Sequence, residues 1–436
     1  MSRRIRALTG LVALVLALAV PAPAGAQSLT RERLDNGLVV LVRENPLAPV
    51  VAVSLMLEMG TRWETPENAG ISNFVHAVMV KGTTKRGGGE LAEAVAALGG
   101  KISAAGDVNY SEIRASALAR FWRELLGLTA ELALTPALLA QEVDNERDYL
   151  LSRVQKRRDN PGDRTFDELY AALYGAHPYA LPILGTTQTL ARIDHDAIVA
   201  RYRAFYRPER MKLAVSGQVK AAEVVAEARR LFGALPAGGG AASAPIPPPV
   251  ANSRRIVVEQ PAQQAQILVG ALAPRLSDPD HAAVKVLATV LGGGMAGRLF
   301  AELRDKQALA YTANAYYDAV REPGALILYL GTAPENAARA EAALGKEIER
   351  VRTQPVSPAE LNRAKGYLLG NYAMDRRTNA RQAWYLVFYE IEGVGQGFPD
   401  AYQRAVEAVT PEDVLRVART YLGTLTTVVL QPRSSK

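Results

Sequence analysis

Cysteine is absent from the 436 residues, so neither disulfides nor thiolate metal sites can form, and stability must come from the size of the core. Histidine occurs only as His76, His177, His195 and His281. Aromatic residues make up 6% of the chain, and none is interleaved with the basic runs Lys156-Arg157-Arg158 and Arg376-Arg377. Those runs therefore read as solvated helix faces, and no nucleic-acid surface is expected. Beyond residue 26 no apolar stretch reaches the roughly 20 residues that a bilayer span needs.

The N-terminus does carry an apolar run, Ala7 to Val20, behind the basic start Met1-Ser-Arg-Arg-Ile-Arg and ahead of Pro-Ala-Pro-Ala-Gly-Ala. Basic, apolar and small-residue regions in that order read as a signal peptide over 1–26, with Ala24 and Ala26 before the cut and Gln27 after it. The alternative, a membrane anchor, requires a longer run. Export to a bacterial periplasm is expected, with no stable membrane insertion after cleavage. The formal charge of +7 becomes +4 once Arg3, Arg4 and Arg6 leave with the leader, which is modest. With 49% hydrophobic and 22% charged residues, the chain is of the ordinary globular class and long enough for two domains.

A Gly, Ala and Pro-rich segment, 236–253, reads as a linker between halves at 27–235 and 254–436. Each half opens with two strand-like runs, Leu38 to Arg43 and Val50 to Met59 in the first, Arg255 to Glu259 and Gln266 to Leu272 in the second. Each also closes with a helix followed by a strand: Ala197 to Phe205 then Met211 to Ser216, and Val414 to Tyr421 then Thr426 to Leu430. The chain thus reads as a duplicated α+β unit, each copy a mainly antiparallel sheet packed with helices. Further helices are expected over Gly70 to Val80, from Leu91, and over Leu118 to Leu134, Pro136 to Arg157, Asp163 to Tyr174, His281 to Leu291, Arg298 to Asp305 and Ala337 to Thr353. Another is expected from Ser357 to Leu369, with Ser357 as N-cap and Pro358 at the first position. Leu309 to Tyr317 alternates like a strand.

The stretch Gly60 to Thr83, His177-Pro-Tyr-Ala with Leu184-Gly-Thr, Phe205-Tyr-Arg-Pro-Glu-Arg-Met, and Leu291-Gly-Gly-Gly-Met-Ala-Gly-Arg-Leu-Phe fall in one order along the chain. Together they resemble the inverted-motif zinc peptidases of the insulinase and pitrilysin type over nearly the whole mature chain. The resemblance implies two homologous domains arranged as a clamshell. It also implies an H-x-x-E-H helix, whose two histidines bind zinc and whose glutamate activates water. Counted back from Lys81-Gly82-Thr83, those places hold Asn73, His76 and Ala77. The third ligand should close a Glu-Arg-x-x-x-x-x-Glu pattern that begins at Glu146, and there stands Arg153. No second histidine lies one turn from His76, so it reads as a helix-face histidine, hydrogen-bonded or facing solvent. Glu142 and Glu146 read as surface carboxylates. No metal is expected in this chain.

Arg304 and Tyr311, seven residues apart at the end of a helix and the start of a strand, match the family's Arg and Tyr pair. In the family these donate hydrogen bonds toward the scissile carbonyl as charge develops there. Taken alone, Arg304 could pair with Asp305 or Glu302, and Tyr311 could be a half-buried strand aromatic. Arg298 and the Gly292-Gly-Gly turn read as structural. Exported bacterial members of the family include heterodimers in which one chain supplies H-x-x-E-H and zinc and the other supplies Arg and Tyr. The resemblance therefore implies a homologous zinc-bearing partner and a peptide or unfolded polypeptide substrate. A non-enzymatic scaffold or peptide-binding protein is the alternative, and a lone zinc protease with rearranged ligands is a third.

Overall fold

A computed structural model describes residues 29–238 and 246–433. The expected leader, and positions 239–245 of the expected linker, lie outside the described residues.

The first half contains β1 (Leu29–Arg33), β2 (Val39–Glu44), β3 (Val50–Leu57), α1 (Ile71–Met79), α2 (Gly88–Ala97), β4 (Lys101–Gly106) and β5 (Ser111–Leu118). It continues through α3 (Trp122–Leu134), α4 (Ala140–Asp159), α5 (Pro161–Tyr174), α6 (Thr187–Arg192), α7 (His195–Phe205), β6 (Met211–Gly217) and α8 (Ala221–Phe232). The second half contains β7 (Arg254–Gln260), β8 (Ala265–Ala273), α9 (His281–Gly292), β9 (Thr312–Asp318), β10 (Gly324–Thr332) and α10 (Ala337–Thr353). It ends with α11 (Pro358–Asp375), α12 (Asn379–Ile391), α13 (Phe398–Ala408), α14 (Pro411–Tyr421) and β11 (Thr426–Pro432).

The sheets run β1-β2-β6-β3-β5-β4 and β7-β11-β8-β10-β9. With β1 set aside the two orders coincide, and each sheet has one parallel pair, β2 with β6 and β7 with β11, among antiparallel ones. The duplication is thus present in connectivity as well as in element order.

Residues of alternate parity in the first sheet point to opposite faces. Val40, Val42, Val53 and Leu55 join a core built with the first half's own helices. Val39, Leu41, Ala52, Met56 and Ala214 meet Ala383, Leu386, Val387 and Ile391 of α12, a helix from the second half. The reverse holds for the second sheet. Ile267, Val269, Leu326 and Leu328 pack on helices of their own half, whereas Leu268, Ile327, Val428 and Leu430 meet Leu169 and Leu173 of α5. Each half lends one helix to the other. Burial on both faces explains why β3, β8 and β10 are near-continuous apolar runs. Polar ties reinforce the exchange: Arg62 pairs with Glu322, and the Tyr174 hydroxyl donates to the Pro323 carbonyl at 3.0 Å.

Several expectations are corrected. The helix expected from Pro136 begins at Ala140, because Pro136 bridges to Thr83 and Ala137 N–H donates to the Gly82 carbonyl at 3.0 Å. The helix expected from Leu118 starts at Trp122, since Leu118 is still the last residue of β5. The strand expected from Leu309 starts at Thr312; Ala308 takes φ 51° and Leu309 N–H donates back to the Leu303 carbonyl at 2.8 Å, closing a turn. The segment before it, Phe300–Lys306, is a π-helix. Two basic runs are not simply solvated. Arg157 is held by Asp163 and Asp167, and the Arg376 guanidinium lies 3.3 Å and 3.7 Å from the Tyr372 and Tyr385 ring centroids.

Candidate functional site

The helix α1 is anchored before it begins. Glu64, 5% exposed, accepts hydrogen bonds from Gly70 N–H and Ser72 N–H at 2.8 Å each, placing a carboxylate against the positive end of the helix. Arg201 completes the clamp by donating to the Trp63 carbonyl at 2.9 Å and the Ser72 hydroxyl at 3.0 Å. Burial pushes the Glu64 carboxyl up, opposed by the Ser72 bond and the Arg201 charge. Sequence reasoning missed Glu64 and Arg201. Nothing in the string Trp63 to Asn68 separates Glu64 from exposed Glu67.

On α1 the inspected positions part company. Ala77 is half-buried, and Asn73 is 9% exposed with its amide nitrogen buried and without a hydrogen-bond partner. Asn73 lies against the end of β4, where a Cβ on Gly106 would stand only 3.1 Å from the Asn73 nitrogen. His76 turns the other way and is 1% exposed. Its Nδ1 lies 2.7 Å from the Ser72 carbonyl and its Nε2 lies 2.7 Å from the Tyr206 hydroxyl. A carbonyl only accepts, so Nδ1 carries the proton and Nε2 receives one from the tyrosine. Burial lowers His76 to about 4, with the Ser72 bond opposing. Of the two roles expected of His76, the structure shows the hydrogen-bonded one and excludes the solvent-facing one.

On α4, Arg153 is exposed with its guanidinium 6.0 Å from the Tyr149 ring centroid. Glu146 overturns its expectation: it is 6% exposed, and its carboxylate sits 2.6 Å from Lys81 Nζ. That ion pair fastens the turn after α1 to α4, two helices that also touch along their lengths. Zinc does not fit here. Asn73, Ala77 and Arg153 present no imidazole or carboxylate, both His76 nitrogens are engaged in the core, and no metal-binding group of three His, Asp or Glu exists among the described residues.

In the second half, Arg304 is exposed and lies over the Phe300 ring at 4.5 Å. Arg304 pairs with neither Asp305 nor Glu302 among the described residues, and Glu302 is taken by Lys306 at 2.8 Å and Arg350 at 3.6 Å. Tyr311 is 60% exposed, while its backbone N–H is fixed to the Gly331 carbonyl at 2.8 Å. It is therefore not a half-buried strand aromatic. Neither side chain makes a hydrogen bond or ion pair among the described residues. A fixed backbone below a free phenol and a free guanidinium is an arrangement suited to donation toward a bound oxyanion. Arg298 is structural as expected, forked onto Glu360 at 2.5 Å and 2.9 Å. Gly292 is too: a Cβ there would lie 2.0 Å from the Ala315 nitrogen in β9.

Asn73 adjoins the end of β4, the edge strand of the first sheet, whereas Tyr311 stands before the start of β9, its counterpart in the second.

Comparison with known proteins places these features in context. Residues 39–187 match the model described as Insulinase (Peptidase family M16), and residues 192–368 match Peptidase M16 inactive domain. An uncharacterized zinc protease of Mycobacterium bovis is 30% identical over 418 residues, covering 95% of each chain. Another from Rickettsia bellii is 26% identical over 412 residues, covering 92% of this chain and 97% of that one. Among solved structures, a peptidase M16 inactive domain from Pseudomonas fluorescens superposes with TM-score 0.84 at 22% identity, covering 94% of this chain and 99% of its own. A protease from Helicobacter pylori gives TM-score 0.85 at 22% identity, covering 93% and 100%.

Proposed function

From the premise that this chain belongs to the insulinase-type peptidase family M16, we propose that it is the non-catalytic subunit of a heterodimeric zinc peptidase. The partner is a homologous chain that carries H-x-x-E-H and the zinc. The observation that carries this reading is the contrast between two sites. The metal positions hold Asn73, His76, Ala77 and Arg153, whereas Arg304 and Tyr311 are present and exposed, neither side chain hydrogen-bonded or ion-paired among the described residues and Arg304 resting only on the Phe300 ring.

In the assembled enzyme Arg304 and Tyr311 act in trans. As a peptide carbonyl is attacked, negative charge gathers on its oxygen, and a guanidinium and a phenol donate hydrogen bonds to it. Removing one such donor typically costs on the order of 10² to 10³ in rate. An extended substrate paired along a sheet edge gains affinity from backbone hydrogen bonds, which favours peptides or unfolded segments over a strict sequence. The periplasm is the compartment that the N-terminal residues support.

The test mixes the purified chain with an H-x-x-E-H homologue, ideally one encoded beside it, and follows a quenched peptide. Zinc-dependent cleavage should appear only in the mixture and fall at least 10²-fold for Tyr311→Phe or Arg304→Ala. Unchanged rates in both variants would sink the trans role and leave the second reading, a scaffold or peptide-binding protein. The isolated chain should carry no stoichiometric zinc; tightly bound metal would contradict the assignment.

A further inference from the structure

A cleft of about 870 Å³ opens at the joint between the halves. It begins on α4 at Val154 and Arg157, one turn beyond Arg153, and is walled by the β4–β5 tip, α5, the end of β9 and the end of α12. Aromatic side chains from both halves line it, among them Tyr110, Tyr170, Tyr174, Tyr317 and Phe388.

Four carboxylates share these walls without an ion-pair partner among the described residues: Asp107, Glu168, Asp318 and Glu392. Glu392, 4% exposed, receives only hydrogen bonds, with the Asn109 amide donating at 3.0 Å and 3.3 Å. Asp107 accepts from Val108 N–H at 2.6 Å, and Asp318 accepts from the Tyr170 hydroxyl. Two cations act on these carboxylates electrostatically without pairing with them, Lys285 on Asp318 and Arg321 on Glu392. Arg157 is held by Asp163 and Asp167, Lys285 Nζ donates to the Tyr317 carbonyl at 2.6 Å, and Arg158 is exposed.

We propose that this cleft binds an organic cation, an alkylammonium or guanidinium group, held against the tyrosine rings by Asp107, Asp318 and Glu392. Aromatic faces attract such cations through the ring quadrupole, most strongly where water is excluded. The carboxylates complete the match. No three of them converge closely enough to share a metal ion among the described residues, and the cleft is large enough for an organic cation instead.

The titration of the cleft agrees with the geometry. Burial pushes Glu392 up to about 7; the Asn109 bond and Arg321 oppose the rise, and Asp107 adds to it. Tyr179, hydrogen-bonded to Asn109, also faces Glu392. Burial raises Asp107, and Asp318 reinforces the rise. Proton and ligand cation therefore compete for the same carboxylates, so binding strengthens as pH rises through about 7.

The same chemistry could arrive as a free amine or as the Lys or Arg side chain of a peptide, the second source resting on the proposed function. Titration calorimetry on the isolated chain, which needs no partner, tests the site apart from that reading. Cadaverine, N-acetyl-arginine amide and the neutral N-acetyl-norleucine amide are compared at pH 6 and 8. At least one cation should bind, roughly ten-fold more tightly at pH 8, with the neutral compound inert. Binding of cadaverine identifies a site open to free amines, and binding of the arginine amide alone identifies a side-chain site. Glu392→Gln should weaken binding at pH 8 and flatten the pH dependence, and Asp318→Asn should weaken it with the melting temperature unchanged. No binding of either cation at millimolar concentration, equal binding of the neutral compound, or unchanged affinity in both variants would overturn the proposal.

Discussion

His76 shows what spacing can reveal about a residue and what it cannot. Counting from Lys81-Gly82-Thr83 finds its place on α1, but not that its ring turns inward to Ser72 and Tyr206. That orientation depends on Tyr206, which is distant in sequence. Its protonation is consequently tied to folding. The folded value of about 4 lies below the ordinary 6.5, so the unfolded chain takes up the proton first and stability is lost as pH falls through that interval. The contribution is on the order of 3 kcal/mol. Urea unfolding between pH 7 and 4 should show a steeper loss for the wild type than for His76→Leu, and identical slopes would refute the assignment. Glu392 has the opposite sign. Its folded value of about 7 exceeds 4.5, so stability is lost as pH rises through that window, and Glu392→Gln should gain on the wild type at pH 8. Lys81 and Glu146 form a third case. Removing the partly exposed lysine strands a buried carboxylate, so Lys81→Met should cost about 1–2 kcal/mol and the Lys81→Met/Glu146→Gln double variant less than the sum of the single losses. Additive losses would show that the pair is not coupled.

Secondary elements were legible where a local pattern decides them. The Ser357-Pro start and the closing helix-strand pairs need no distant information. The strand β10 is less readable, because both of its faces are buried and the two-residue alternation is erased. No local pattern announces that α12 covers the first sheet or α5 the second, since an apolar helix face does not name its partner. The exchange has measurable consequences. Truncating Leu169 of α5 to alanine should cost about 2–5 kcal/mol, although the helix belongs to the first half and the lost contacts belong to the second. Gly292→Ala should be destabilising by about 1–3 kcal/mol or more, because the obstructing atom is the backbone nitrogen of Ala315. A thermal melt as stable as the wild type would show that β9 yields to α9, and with it the frame that fixes Tyr311.

At the scale of the molecule, duplication has produced two sheets of equal connectivity and unequal chemistry. Gly60 to Thr83 and Gly292 to Tyr311 keep the family's landmarks, which made the fold class readable from sequence. The cleft was not readable, because Asp107, Asp318 and Glu392 are brought together only when the halves close on each other. With one helix of each half embedded in the other, unfolding should be a single transition in urea, coincident by tryptophan fluorescence and far-ultraviolet dichroism. The halves produced separately should fail to give stable, dispersed spectra; an independently folded half would contradict the interlock.

The exchange of helices also sets a schedule. The strands of the first sheet are complete at Gly217, yet the helix that covers their second face ends only at Ile391. At ordinary rates of synthesis, of about 5–20 residues per second, that face waits roughly 10 to 35 s. The second sheet has no such delay, because α5 is made before it. A chaperone that meets the emerging chain therefore has an apolar surface to guard, formed by Val39, Leu41, Ala52, Met56 and Ala214, until the other half has arrived.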